Sequence, residues 1–169
     1  MKLQENEFAP YYANYIIKSL LHTDILEGLK KQQDAVVSFF TSLPSDKLEY
    51  QYQTGKWTPK DILLHLNDAE RIFAYRALRI SRNDQTPLSG FEEDDYVPFG
   101  NANVRSIENL IDEYVSIRNA TITLFKNFSE EDLMRIGIAS NASVSVRAIG
   151  YIILGHELHH MSVIKERYL

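Results

Sequence analysis

Three of the five histidines, His65, His156 and His160, stand at positions that helical periodicity turns inward. His156 and His160 are one helical turn apart, and at about 100° per residue such a pair lies ~40° apart on one face. That spacing lets two imidazoles grip one ion. They continue an otherwise aliphatic series, Val146, Ile149, Ile153, His156, His160, Val163, whose gaps of 3, 4, 3, 4 and 3 mark a seam facing a bundle core. His65 interrupts a second series, Ile62, His65, Ala69, Ile72, and the small Ala69 leaves room beside it. A single core histidine is ordinarily a hydrogen-bonded structural residue, and that reading stays open for each ring taken alone. Three unshared imidazoles at core positions are costly, because every ring has two nitrogens to satisfy; a shared divalent ion removes that cost. Three neutral imidazoles suit Zn or Ni first, with Fe, Co or Mn as further candidates. They leave at least one coordination position for water or substrate. His159, turned ~100° from His160, falls off the seam and flanks the site. His22 reads as a turn or surface residue.

Two carboxylates are candidates for supporting roles. Asp68, three residues after His65, is placed to hydrogen-bond a ligand imidazole and fix its tautomer, with an ordinary solvated or salt-bridged carboxylate as the equal alternative. Glu157 is a candidate base beside a metal, although its position directs it toward solvent or a neighbouring helix. His156-Glu157-Leu158-His159-His160 also matches H-E-x-x-H, the zinc metalloprotease signature. A protease of that kind needs a third ligand downstream. Here Val163 and Glu166 stand where the extended motif requires Gly and His, and no strand-like segment is expected before this helix to bind a peptide edge-on. The protease reading is therefore rejected.

Four helical segments must position these residues. The first spans about Asp24 to Ser42, with Ile25, Leu26, Leu29, Val36, Val37, Phe39 and Phe40 as its apolar set. The second begins at Thr58-Pro59-Lys60-Asp61, a Thr cap with Pro at the first helical position, and continues to about Ile80. The third runs from about Arg105 to Phe128, followed by a capped extra turn at Ser129 to Asp132, and the fourth from about Ser145 almost to the C-terminus. Asn141 to Ser143 supplies polar turn residues before it. Residues 44–57 read as irregular. Residues 81–104 read as a long loop, with Glu92 to Asp95 as a solvated acidic run. Phe8-Ala-Pro-Tyr-Tyr12 is expected to pack its aromatics across the bundle. For His65 and His160 to meet, the second and fourth helices must be antiparallel. If the third and fourth are antiparallel neighbours, the second and third are parallel, and 81–104 must cross the length of the bundle. The expected fold is all-α, a four-helix bundle ordered up-down-down-up.

The chain has 169 residues, enough for one domain over 1–169 with a sizeable core. Hydrophobic residues make up 44%, which excludes a disordered chain, and a formal net charge of −5 with no basic stripe argues against nucleic acid. Small-molecule substrates are the expected partners. The absence of cysteine excludes disulfides, Cys-zinc sites and cysteine catalysis. The first 20 residues lack the pattern of a secretory signal, and no apolar run approaches the ~20 residues that span a bilayer, so no membrane role and a cytoplasmic location are expected.

The block Gly55-Lys-Trp-Thr-Pro-Lys-Asp-Ile-Leu-Leu-His65-Leu-Asn-Asp-Ala-Glu70-Arg, with Gly155-His-Glu-Leu-His-His160 far downstream, resembles the DinB/YfiT-like superfamily. Phe8 to Tyr12, Phe73 to Arg79 and Val146 to Tyr151 share the likeness, which covers nearly the whole chain. The resemblance implies a four-helix bundle, a three-His divalent metal site carried onto His65, His156 and His160, and a homodimer as a frequent assembly. Family members of known activity include thiol-dependent transferases and a mycothiol-dependent isomerase; many others are named only as metal-dependent hydrolases. Two functions are thus carried forward. One is a metal-dependent S-transferase using a low-molecular-weight thiol, or a hydrolase. The other is a metal-stabilised binding or stress-associated module without turnover. A polar cleft open to the ion favours the first, and an enclosed ion the second.

Overall fold

The structure is a computed structural model that describes residues 3–169. Four long helices, α2 (Ile25–Thr41), α3 (Pro59–Ser81), α5 (Ile107–Lys126) and α7 (Val146–Arg167), form the bundle. Three shorter helices, α1 (Ala13–Ser19), α4 (Glu93–Gly100) and α6 (Glu130–Met134), and a hairpin of β1 (Ile136–Ala139) with β2 (Ala142–Ser145) complete it. Among the described residues no helix is long and apolar enough to cross a membrane.

Each long helix starts at a side chain that caps it. Asp24 accepts from Glu27 N, Ser106 from Asn109 N, and Ser145 from Ala148 N. Thr58 and Asp61 form a reciprocal box, Asp61 N donating to Thr58 Oγ1 (3.1 Å) and Thr58 N to Asp61 Oδ2 (2.9 Å). Such a cap contributes about 1 kcal/mol, and here it also fixes where α3 begins, two turns before His65. Asn103 donates to the same Asp61 carboxylate at 3.1 Å, tying the far end of the crossover to that cap.

The directions of the helices follow from their contacts. Asn67 bonds the Leu110 carbonyl and Glu70 bonds Arg118, so α3 and α5 are parallel. Tyr168 Oη donates to the Trp57 carbonyl at 2.5 Å, so α7 ends where α3 begins and the two are antiparallel. Gln32 bonds Glu157, and Gly28 lies against Leu154, making α2 parallel to α7. The order is up-down-down-up, as the sequence predicts. One premise of that reading is corrected. α5 and α7 are not neighbours but stand across a diagonal of the bundle, as do α2 and α3. The connection between α5 and α7 is long enough for this because it holds α6 and the hairpin.

Residues 13–19, which carry no helical period in the sequence, form α1, which packs along α7. Two local expectations are also corrected. The acidic run at 92–95 is the start of α4, where Glu93, Asp94 and Asp95 complement the positive end of the helix dipole. A strand pair does precede α7: Ser140 (φ 52°) and Asn141 (φ 61°) adopt the left-handed conformations of a two-residue hairpin turn. Leu88 already occupies part of its edge, donating to the Ile138 carbonyl (2.9 Å) and accepting from Ser140 N (3.0 Å).

Two apolar clusters fill the bundle. One gathers Ile25, Leu29, Phe73, Ala77, Phe125, Ile149 and Ile153; the other gathers Val36, Phe40, Leu63, Leu66, Leu110 and Ile164. Along every long helix a polar residue falls between the two sets: Gln32 on α2, Glu70 on α3, Arg118 on α5, and His156 with Glu157 on α7. The core is therefore divided by a layer of buried polar groups.

Candidate metal centre

α3 and α7 bring His65, His156 and His160 together because both helices turn their 3-4 seams toward each other. His65 Nε2 lies 2.9 Å from His156 Nε2, and His160 Nε2 lies 3.1 Å from the same atom. All three ligand atoms fall within 4.8 Å of one another. A divalent ion bound at about 2.1 Å separates neighbouring imidazole nitrogens by roughly 3.0–3.4 Å, so the donor set fits such an ion. Protons alone serve the arrangement poorly, since three neutral rings directed at one point have too few N–H groups to share. Burial disfavours the imidazolium forms. It lowers the His65 pKa to about 4, with Asp94 partly opposing, and holds His156 and His160 well below the usual value.

Aromatic residues fix the rings. The ring of Trp57 lies 4.8 Å from His65 and stacks on His160 at 6.3 Å. Tyr15 and Phe73 meet His156 edge-on at 5.3 and 5.9 Å. Trp57 is the only Trp in the chain and immediately precedes the α3 cap, a signal available in the sequence; Tyr15 carried none, because α1 is too short to show a period.

The other candidates lie elsewhere. His159 is half-buried against Tyr15 and belongs to the cleft wall rather than the cluster. His22 is half-buried, its Nε2 3.0 Å from Gln32 Oε1. Asp68 makes no hydrogen bond to His65 among the described residues; it faces Arg71 at 3.5 Å, and burial raises its pKa. The Glu157 carboxylate turns into the bundle centre, accepting from Arg118 Nη2 and Gln32 Nε2, each at 2.5 Å. Arg118 also donates to both oxygens of Glu70, at 2.8 and 2.7 Å. Burial raises the Glu157 pKa, Arg118 pulls against it, and the second carboxylate at the same guanidinium adds to the rise. Glu157 is thus engaged in the buried layer, which removes the base that an H-E-x-x-H protease would use.

Two clefts open onto the cluster. One, of about 620 Å³, includes all three histidines in its lining and is walled by Tyr12, Tyr15, Phe73 and Phe91. The other, of about 580 Å³, reaches His160 from the side of Tyr52, Lys56 and Tyr168. Trp57, Glu93, His159 and His160 border both. The crossover contributes Phe91 and Glu93, so the segment between α3 and α5 does border the site.

The chain is 24% identical over 147 residues to a protein of Oceanobacillus iheyensis named "putative metal-dependent hydrolase", with 84% of each chain covered. Among solved structures it resembles YfiT from Bacillus subtilis, described as a probable metal-dependent hydrolase with an unusual four-helix bundle topology. The TM-score is 0.71 at 15% identity, covering 98% of this chain and 90% of YfiT. The sequence profile of the DinB superfamily matches residues 29–164, from the first bundle helix to the last turns of α7, and the chain belongs to that superfamily.

Proposed function

We propose that this protein is a divalent-metal-dependent enzyme acting on small molecules, with His65, His156 and His160 as the ligands and hydrolysis as the leading reaction. The observation that carries the reading is the convergence of three Nε2 atoms on the floor of an open cleft. A purely structural ion has no use for two clefts meeting at its ligands. The names of the two relatives, both metal-dependent hydrolases by description, support hydrolysis. Transfer of an external low-molecular-weight thiol is the second reading, favoured by the separate approach past Tyr52 and Tyr168, which gives a second reactant its own entry.

When bound, the ion supplies a positive centre that acidifies water or a thiol and polarises a carbonyl or similar electrophile. The chain's own residues do the rest. The three rings, held neutral by burial, offer lone pairs and no charge. Trp57, Tyr15 and Phe73 keep the rings from rotating and exclude bulk water from their flanks. Glu93 is the carboxylate that borders both clefts, and its position suits it to accept a proton from the attacking group and return it to the leaving group.

The test is a screen of esters, amides and thiol-plus-electrophile pairs on the full chain loaded with Zn or Ni. His65→Ala is expected to abolish turnover with the helical signal intact, and Glu93→Gln to lower turnover while the metal stays bound. Turnover that survives His65→Ala in metal-free protein would remove the reading.

A further inference from the structure

Three arginines are buried in this protein, and two are neutralised. Arg118 (0% exposed) pairs with Glu70 and Glu157, and Arg147 (7%) with Glu7. Arg76 (3%) has no carboxylate within ion-pair distance among the described residues. Its Nη2 donates instead to two neutral acceptors, the Ser89 carbonyl (2.8 Å) and Ser140 Oγ (2.9 Å). The guanidinium lies beside the rings of Phe73 and Phe91, 6.0 and 5.9 Å from their centroids. A buried charge without a counter-ion is expensive; of the three buried arginines only Arg76 is so placed, lining a cleft of about 360 Å³ on one side and backing the wall of the larger cleft on the other.

That wall is built to pass the charge on. Ser140 sits in the left-handed hairpin turn and lines the cleft. Because its oxygen accepts from Arg76, its own O–H is free to donate into the cleft. The Tyr12 phenol also lines the cleft beside the guanidinium; burial raises its pKa, Arg76 opposes the rise, and Tyr11 and the more distant Glu93 add to it. Phe73 stands between this end and the triad, its ring against both Arg76 and His156. Glu92 and Glu93 line the cleft on the α4 side and would repel an anion there.

We propose that the Ser140–Tyr12 end of the cleft, backed by the uncompensated guanidinium of Arg76, is a subsite for a carboxylate of the substrate. The inference rests on the metal-enzyme reading for what happens at the other end of the same molecule. It defines a substrate class: a small acid whose carboxylate sits beyond Phe73 while its reacting bond lies over the histidines. The aromatic lining between them suits an apolar or aromatic spacer.

The test uses phenylacetate and its neutral counterpart phenylacetamide, titrated calorimetrically into the full chain with and without bound Zn. In metal-free protein no ion can hold the carboxylate, so that arm examines the subsite independently of the metal. The acid is expected to bind roughly tenfold or more tightly than the amide, the scale of a charge-assisted hydrogen bond. Arg76→Gln should bring the two within about twofold while amide binding and the melting temperature change little, and Arg76→Lys should restore part of the preference. Ser140→Ala keeps the charge and should weaken the acid alone. Equal binding of acid and amide by the unaltered metal-free chain overturns the subsite, as does a preference that survives both Arg76→Gln and Ser140→Ala. Failure of the metal-enzyme reading shows separately, as loss of neither metal nor turnover in His65→Ala.

Discussion

The carbonyl oxygen of Tyr15 occupies the space that a side chain on Gly155 would need: a Cβ there would lie 1.8 Å from that oxygen. α1 thereby approaches α7 backbone to backbone, one residue before His156. Gly155→Ala should force α1 away, costing about 1–3 kcal/mol or more as an overpacked contact. Tyr15 would lose its place against His156, so metal affinity should fall with stability. Denaturant titration and metal stoichiometry measure the two, and an unchanged midpoint would count against the close approach.

The metal assignment predicts about one divalent ion per chain in protein purified without an affinity tag. His65→Ala, His156→Ala and His160→Ala should each remove most of it by elemental analysis. His159→Ala should leave the content near its starting value, because that ring lines the cleft and points no nitrogen at the cluster. The reverse pattern, with His159→Ala emptying the protein, would contradict the arrangement.

Arg118 holds two carboxylates in the middle of the core. Arg118→Met would leave Glu70 and Glu157 buried together without a cation, a loss of roughly 3–5 kcal/mol. Glu157→Gln should be milder, since the carboxyl already has a raised pKa and the amide can still accept from Arg118. Equal losses in the two variants would show that the pair does not share the cation.

Glu7 and Arg147 give the acid limb of stability a specific origin. Burial pushes the Glu7 carboxyl up, but hydrogen bonds from Arg147, Gln4 N and Ser145 outweigh it and leave the pKa below its ordinary value. A depressed carboxyl binds its proton more weakly folded than unfolded. Its contribution is therefore complete above the ordinary value of 4.5 and is lost as pH falls through the lower folded value. Glu7→Gln should flatten the fall in stability over that acidic window. Melting temperatures from neutral pH downward decide it, and parallel curves for the two proteins would refute this origin.

The long helices and the histidine cluster were legible because both depend on 3-4 periodicity, which survives in sequence over more than four turns. A histidine inside an aliphatic seam announces itself, and the antiparallel meeting of His65 with His160 followed from their distances to the helix ends. α1 was not legible: its seven residues carry apolar groups on both sides, Ile16 inward and Ile17 outward, so no face stands out. The hairpin was missed because its strands hold small residues such as Gly137, Ala139 and Ala142, and Ser140-Asn141 is a weak turn signature. α4 was hidden by Pro98, which it tolerates within its final turns. Glu157 illustrates a further limit. Periodicity shows that it leaves the His face, but only the partners on α2, α3 and α5 show where it goes.

The parallel run of α3 and α5 has a consequence for how such a protein can diversify. Two parallel neighbours cannot be joined by a tight turn, so the chain must travel back along the bundle, and it does so past the histidines. Part of each cleft wall, Gly90 to Glu93 in the larger and Glu93, Asp94, Val97 and Pro98 in the other, thus sits on a strap outside the four long helices, while the ligands sit on the most constrained elements. Insertions, deletions and exchanges between 82 and 101 can remodel what enters without disturbing what holds the ion. The share of specificity carried by the strap is thus separate in the chain from the coordination of the ion, and each can drift at its own pace.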